Sequence, residues 1–178
     1  TKLVCLDSLF KNPGVYEMDM GTPMKKIIYD IGGGFIKPVK ALQVGGPLGG
    51  VIPIKEVEKL NLDFQEFTKA GFMLGHGSIV SIPEDFNMIK YIHHLFKFSA
   101  EESCGKCFPG RLGSYRGKEM FDQAINKTNK IPIKLLNELL VTMQKGSLCA
   151  LCGAIPLPIQ NILKYFTDEF KTDINQEA

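Results

Sequence analysis

Two short cysteine pairs constrain what this chain can fold into more than any other feature. Cys104 and Cys107 stand in ESCGKC, and Cys149 and Cys152 stand in SLCALC. Each pair is a C-x2-C unit. Its two thiolates can turn to one side of a loop or a helix turn, and two such units close a tetrahedron of sulfur. Any fold that uses them has to bring two loops about forty residues apart to one place. Thiolates are soft, charged and costly to bury alone, and a metal removes both problems. Four sulfurs so arranged fit one zinc ion, one iron ion or the corners of a [4Fe–4S] cluster, and the spacing alone does not choose among them.

The surroundings favour iron–sulfur over zinc. Both pairs lie between long helical segments, whereas zinc ribbons usually ride on β-hairpin knuckles. The first pair precedes a helix start, where free backbone N–H groups favour negative charge. Gly105, Gly110 and Gly113 allow the backbone close to sulfur, and Lys106 and Arg111 add positive charge. Pro156 and Pro158 fix the loop that enters the last helix. No secretory signal opens the chain at Thr1, which points to a reducing, cytoplasmic compartment where spaced cysteines bind metal rather than pair. The missing initiator methionine suggests a piece of a longer chain. Cys5 stands alone in a strand-like stretch and is expected to be buried as a small apolar residue.

The chain divides into an α+β arrangement, a small β-rich domain over 1–83 and a helical domain over 84–178. In the first, Lys2 to Leu6 and Val15 to Met18 read as strands around the turn Asn12-Pro13-Gly14. A helix begins at Thr22-Pro23 with Thr22 as its cap, carries Met24, Ile27, Ile28 and Ile31, and ends at Gly32-Gly33-Gly34. Val39 to Val44 is another strand, and Phe72-Met73-Leu74 and Ser78 to Ile82 read as two more around Gly75-His76-Gly77. Strand, strand, helix, strand and a long excursion suit a β-grasp domain. In the second domain Met88, Ile89, Ile92, Leu95, Phe96 and Phe98 follow helical spacing. Ser103 to Asn126 continues helical after an interruption at Phe108-Pro109-Gly110, and Ile133 to Met143 and Pro158 to Phe170 give two more helices. Four amphipathic helices of this length pack as a four-helix bundle, and the bundle carries the metal or cluster site. The polar tail Thr172 to Ala178 is the one stretch that suggests disorder.

Several classes are disfavoured. With 21 Lys and Arg against 19 Asp and Glu, net +2 and no basic run longer than a pair, the chain offers no stripe for nucleic acid. No apolar run approaches the ~20 residues of a membrane span, so no direct membrane insertion is expected. No nucleophile-elbow or triad spacing appears, so no catalytic residue is named. Gly45-Gly46-Pro47-Leu48-Gly49-Gly50 lacks the Gly-Lys-Ser/Thr ending of a phosphate loop and reads as a tight turn. His76 is a loop histidine or a residue at a cofactor edge. His93 and His94 are neighbours on a helix and point apart. Glu102 is read in the first turn of the cluster helix, able to cap or orient but not to catalyse.

ESCGKC followed by an arginine, with GSLCAL further on, resembles the flavin- and NADH-binding subunit of respiratory complex I. The diaphorase subunits of NAD-linked hydrogenases and formate dehydrogenases resemble it too. KNPGVYEMDMGTPMKKII resembles the start of that family's soluble-ligand-binding β-grasp domain. VGGPLGGVIP, KAGFMLGHGSIV and YFTDEF resemble its later segments, so the resemblance covers nearly the whole chain. It implies a [4Fe–4S] cluster in the helical domain that takes single electrons from flavin. It places FMN and NADH on a domain absent here or on a partner chain. The partners it implies are a flavin domain and a ferredoxin-like iron–sulfur subunit of an NADH-linked oxidoreductase, peripheral to a membrane through the larger complex. The family pattern is C-x2-C-x2-C and a distant fourth cysteine. Cys104, Cys107 and Cys149 match it. The third position is Gly110, which cannot ligate, and Cys152 stands where the family has glycine. The economical expectation is that Cys152 replaces the lost ligand, giving Cys104, Cys107, Cys149 and Cys152. Two other readings stay open: a zinc-stabilised interaction module with the same four cysteines, and a β-grasp protein that binds a small ligand at its glycine loop.

Overall fold

The computed structural model describes residues 1–175. The chain divides into two units, the first Thr1–Asp85 and the second beginning at Phe86. The architecture is mixed α and β.

In the first unit, strands β1 (Lys2–Leu6) and β2 (Gly14–Met18) form an antiparallel hairpin in which Leu6 faces Gly14 and Lys2 faces Met18. The two-residue period buries Val4 and Leu6 and turns Leu3 and Cys5 outward. Cys5 is therefore exposed, against the expectation of burial. Helix α1 (Met24–Lys26) runs into a π turn over Ile27–Ile31, with Met24, Ile27 and Ile28 fully buried. Pro23 is its N-cap. The Thr22 hydroxyl donates instead to the Asp19 carbonyl at 2.7 Å, so Thr22 does not cap. Gly33 and Gly34, at φ of 69° and 73°, turn the chain out of the helix in a conformation that favours glycine.

Strands β3 (Val39–Val44) and β4 (Gly50–Pro53) form a second antiparallel hairpin around the glycine loop. Helices α2 (Ile54–Val57) and α3 (Phe64–Lys69) fill what sequence periodicity leaves as an excursion. The Asp63 side chain caps α3 by accepting from the Gln65 and Glu66 N–H groups. Glu66 reaches back to the Asn61 N–H at 2.8 Å. Phe72-Met73-Leu74 is an irregular segment rather than a strand, with Phe72 and Leu74 buried. Strand β5 (Ser78–Pro83) then inserts parallel to β1 and antiparallel to β3, giving the order β2-β1-β5-β3-β4.

Asp7 extends the β1–β5 seam beyond the last ladder pair. Its carboxylate accepts from the Ser81 N–H at 2.6 Å, the Ser81 hydroxyl at 3.0 Å and the Leu9 N–H at 3.1 Å. Ser81 is buried, so removing these acceptors strands a donor away from water. Asp7→Ala is expected to destabilise this unit by about 1–3 kcal/mol. Loss of hydrogen-exchange protection at the Ser81 amide is the check.

The second unit begins with α4 (Met88–Glu102), whose Asn87 side chain caps it through the Ile89 and Lys90 N–H groups. The helical break falls at 103–107, where Gly105 takes a φ of 71°. Phe108-Pro109-Gly110 does not interrupt the next helix but starts it, because proline is tolerated in a first turn. A π turn over Pro109–Gly113 leads into α5 (Ser114–Ile125). After β6 (Ile131–Pro132) come α6 (Ile133–Gly146), α7 (Ala150–Ala154) and α8 (Pro156–Tyr165). A 3-10 turn over Thr167–Phe170 takes over where a continuous helix to Phe170 is expected, since Phe166 leaves helical geometry at φ −120° and ψ 31°. Within the polar tail, β7 (Ile174–Asn175) pairs parallel with β6, and residues 176–178 lie outside those described.

Candidate metal centre

Two loops converge at the end of the helical unit. The first joins α4 to the π turn and carries Cys104 and Cys107. The second joins α6 to α7 and carries Cys149, at the N-cap position of α7, and Cys152 follows within α7. The π turn is held close to the end of α6 by small residues. A Cβ on Gly113 would stand 2.8 Å from Met143 Cγ, and one on Gly146 would stand 3.0 Å from Pro109 Cγ. The first loop is shaped locally. The Gly105 N–H donates to the Ser103 hydroxyl at 3.3 Å, and Arg111 Nη1 donates to the Gly105 carbonyl at 3.2 Å. The Arg111 N–H closes the turn on the Cys107 carbonyl at 2.9 Å.

Gly110 lies at the meeting point. A Cβ built on it would stand 3.0 Å from Cys107 Sγ and 3.1 Å from Cys152 Sγ, so sulfurs from both segments flank one point. The Leu148 backbone N–H first, and that of Gly110 next, hold the Cys107 thiol below its ordinary pKa, while burial opposes them. Leu148 precedes Cys149, so the second loop itself stabilises the thiolate of the first. Cys152 is 2% exposed, and its sulfur lies 3.7 Å from the Ser99 hydroxyl. Ser114 Oγ donates to the Gly110 carbonyl at 2.7 Å and fixes the turn beneath the sulfurs.

Cys107 and Cys152 are thus brought together, whereas Cys104 and Cys149 are both exposed on their loops. Among the described residues no group of three or more His, Cys, Asp or Glu side chains is gathered in a metal-holding arrangement. The donor set suits an iron–sulfur group chemically: soft sulfur, backbone N–H groups aimed at Cys107, and a bare glycine where the sulfurs meet.

The other candidates fall elsewhere. His76 packs on the glycine loop of the first unit, its Nε2 filling the place that a Gly46 Cβ would take. His93 Nε2 meets Asp122 Oδ1 at 2.7 Å, and His94 faces the Tyr91 ring. Glu102 is exposed and ends α4 rather than opening the next helix, because the break precedes Cys104. Ser99 is the residue that sequence reasoning passes over. Its one signal is a hydroxyl in the apolar stripe of Ile92, Leu95 and Phe96.

The site is thus a pair of cysteine sulfurs, Cys107 and Cys152, meeting at Gly110. Residues 90–173, within the helical unit, match the family described as the NADH-ubiquinone oxidoreductase-F iron-sulfur binding region. Among curated relatives, the HndC subunit of the NADP-reducing hydrogenase of Solidesulfovibrio fructosivorans is 31% identical over 99% of this chain and 36% of its own length. An F-type NADH-quinone oxidoreductase subunit of Rhizobium meliloti is 32% identical over 98% of this chain and 42% of its own length. Its counterpart in Escherichia coli is 31% identical over 99% and 40% respectively. The chain therefore spans less than half the length of each of these relatives. A chain of the NAD+-reducing [NiFe]-hydrogenase in its H2-reduced state superposes with a TM-score of 0.85 at 21% identity, over 99% of this chain and 30% of that one, a likeness of fold. No helix among the described residues is long and apolar enough to cross a membrane.

Proposed function

We propose that this chain is the iron–sulfur electron-transfer portion of an NADH-linked oxidoreductase subunit. Its cluster, a [4Fe–4S] centre on Cys104, Cys107, Cys149 and Cys152, receives single electrons from flavin on another domain or chain and passes them to a ferredoxin-like iron–sulfur subunit. The observation that carries this reading is the approach of Cys107 and Cys152 to one point at Gly110. FMN and NADH are assigned to another domain or to a partner chain, and to no residue here. The stretch 1–83, which holds the five-stranded sheet, is read as a β-grasp domain from its strand order with β1 and β5 parallel at the centre. The helices of 84–178 are read as a four-helix bundle around the site.

In this reading the cluster supplies one-electron redox chemistry. The chain's own residues do the rest. The cysteine loops hold the sulfurs, the Leu148 and Gly110 N–H groups stabilise the Cys107 thiolate, and the buried side of α7 shields Cys152. Closing the site requires Cys104 and Cys149 to turn inward on their short loops.

Iron, sulfide and zinc assays with a visible spectrum, on protein purified without oxygen, test the proposal. A brown protein with about four irons and four sulfides per chain, absorbing broadly near 400 nm, is expected. Cys152→Ser should destroy or convert the cluster, and an iron content and spectrum unchanged by it would remove Cys152 from the ligand set. A colourless protein with one zinc would replace the electron relay with a zinc-stapled interaction module.

A further inference from the structure

Among the buried residues of α4, Ser99 is the polar one. None of its surface is exposed, and a hydroxyl so placed requires a partner. That partner is Cys152 Sγ at 3.7 Å, on a different helix and 53 residues further along the chain. In the free thiol either atom can be the donor. Once Cys152 binds iron it is a thiolate with no proton, and only the Ser99 O–H can donate.

We propose that Ser99 is a positioning residue that sets the reduction potential of the cluster through the Cys152 sulfur. This role depends on the proposed ligation of the cluster by Cys152. A hydrogen bond to a ligating sulfur draws negative charge from it and favours the state that carries the extra electron, so the potential rises. The bond lies in a buried pocket, where a charge-assisted interaction is stronger than in water. The two sulfurs at Gly110 also differ in their main donor. Cys107 is served first by the Leu148 and Gly110 N–H groups, which no side-chain replacement removes, and only last by the Ser147 side chain. Cys152 is served by a side chain, so its contribution can be deleted separately.

The experiment compares this chain, loaded with iron and sulfide without oxygen, with its Ser99→Ala and Ser99→Thr variants. Each is assayed for iron and sulfide and then titrated potentiometrically with EPR detection. Ser99→Ala is expected to hold the parent's iron and sulfide. Its ratio of reduced to oxidised cluster at fixed potential should fall about tenfold, which for a one-electron couple is ~59 mV. Ser99→Thr, which keeps the hydroxyl, should restore the parent value. A potential unchanged in Ser99→Ala with the cluster intact overturns the proposal. Should Ser99→Ala fail to fold or to load, the comparison passes to Ser99→Thr against Ser99→Val, which match in shape and differ in the hydroxyl. Equal potentials in that pair overturn it, and a lower potential in Ser99→Val supports it. The ligand reading fails separately, by an iron content and spectrum both unchanged in Cys152→Ser, and that result takes the Ser99 proposal with it.

Discussion

Moving the third sulfur back to position 110 is expected to rescue a chain that has lost Cys152. The single variant Cys152→Gly should lose most of its iron, and the double variant Gly110→Cys/Cys152→Gly should recover the parent's iron and sulfide content. The geometry gives the reason for expecting this exchange. A Cβ on Gly110 would stand 3.1 Å from Cys152 Sγ and 3.3 Å from Cys152 Cβ, so a side chain there enters the space that Cys152 now fills from α7. In the parent chain the two side chains would compete for that space. Glycine at 152 clears both contacts. What remains is Cys107 Sγ at 3.0 Å, which must yield by a few tenths of an ångström, as the end of a flexible side chain can. The backbone accepts the change, since Gly110 is not among the residues of positive φ. Glycine within α7 costs about 1 kcal/mol of helix stability in both variants, so the difference in iron between them reports on the sulfur alone. Equal iron in the single and double variants would separate position 110 from the site and leave the exchange of ligands without support.

The sequence makes the chemistry of this site legible and its geometry only in part. Two C-x2-C units predict convergence because thiolates need a common partner, and Cys107 and Cys152 do converge. The placement of Cys104 and Cys149 depends on the conformation of two loops, which spacing does not encode. The position of the helical break has a local cause. Proline at 109 looks like a breaker, yet its ring fits a first turn, and the left-handed Gly105 marks where α4 has stopped. Helices α2 and α3 are short and carry little periodicity. The Asp63 to Glu66 spacing that caps α3 is their readable signal. Residue type favours burial of Cys5, whereas strand alternation with Val4 and Leu6 decides its exposure. Ser99 is legible only as a hydroxyl in an apolar stripe, which does not say which distant sulfur it will meet.

Truncating Phe96 is expected to destabilise the helical unit by about 3–5 kcal/mol, and the reason lies across from it on α5. A Cβ on Gly117 would overlap Phe96 Cε1 and Cδ1, so the ring lies directly against the α5 backbone. Phe96 is fully buried and tilts against Phe121 with ring centroids 5.8 Å apart. Glycine at 117 sacrifices about 1 kcal/mol of helix propensity and in return lets the two helices approach. It also leaves no side chain at 117 that could collapse into the space Phe96→Ala would open. Gly117→Leu alone fails for the opposite reason, since it forces Phe96 out of its place, at about 1–3 kcal/mol or more. The double variant Phe96→Ala/Gly117→Leu restores much of the volume from the other helix, so its loss should be well below the sum of the two single losses. Hydrogen exchange of the α4 and α5 amides reads this unit separately from the sheet unit. Additive losses would contradict the packing of Phe96 against Gly117. The same variants bear on the site, because Phe96 stands one turn before Ser99 on α4. A shift of that turn moves Ser99 away from Cys152, and iron retention should fall with the packing in Phe96→Ala and recover with it in the double variant.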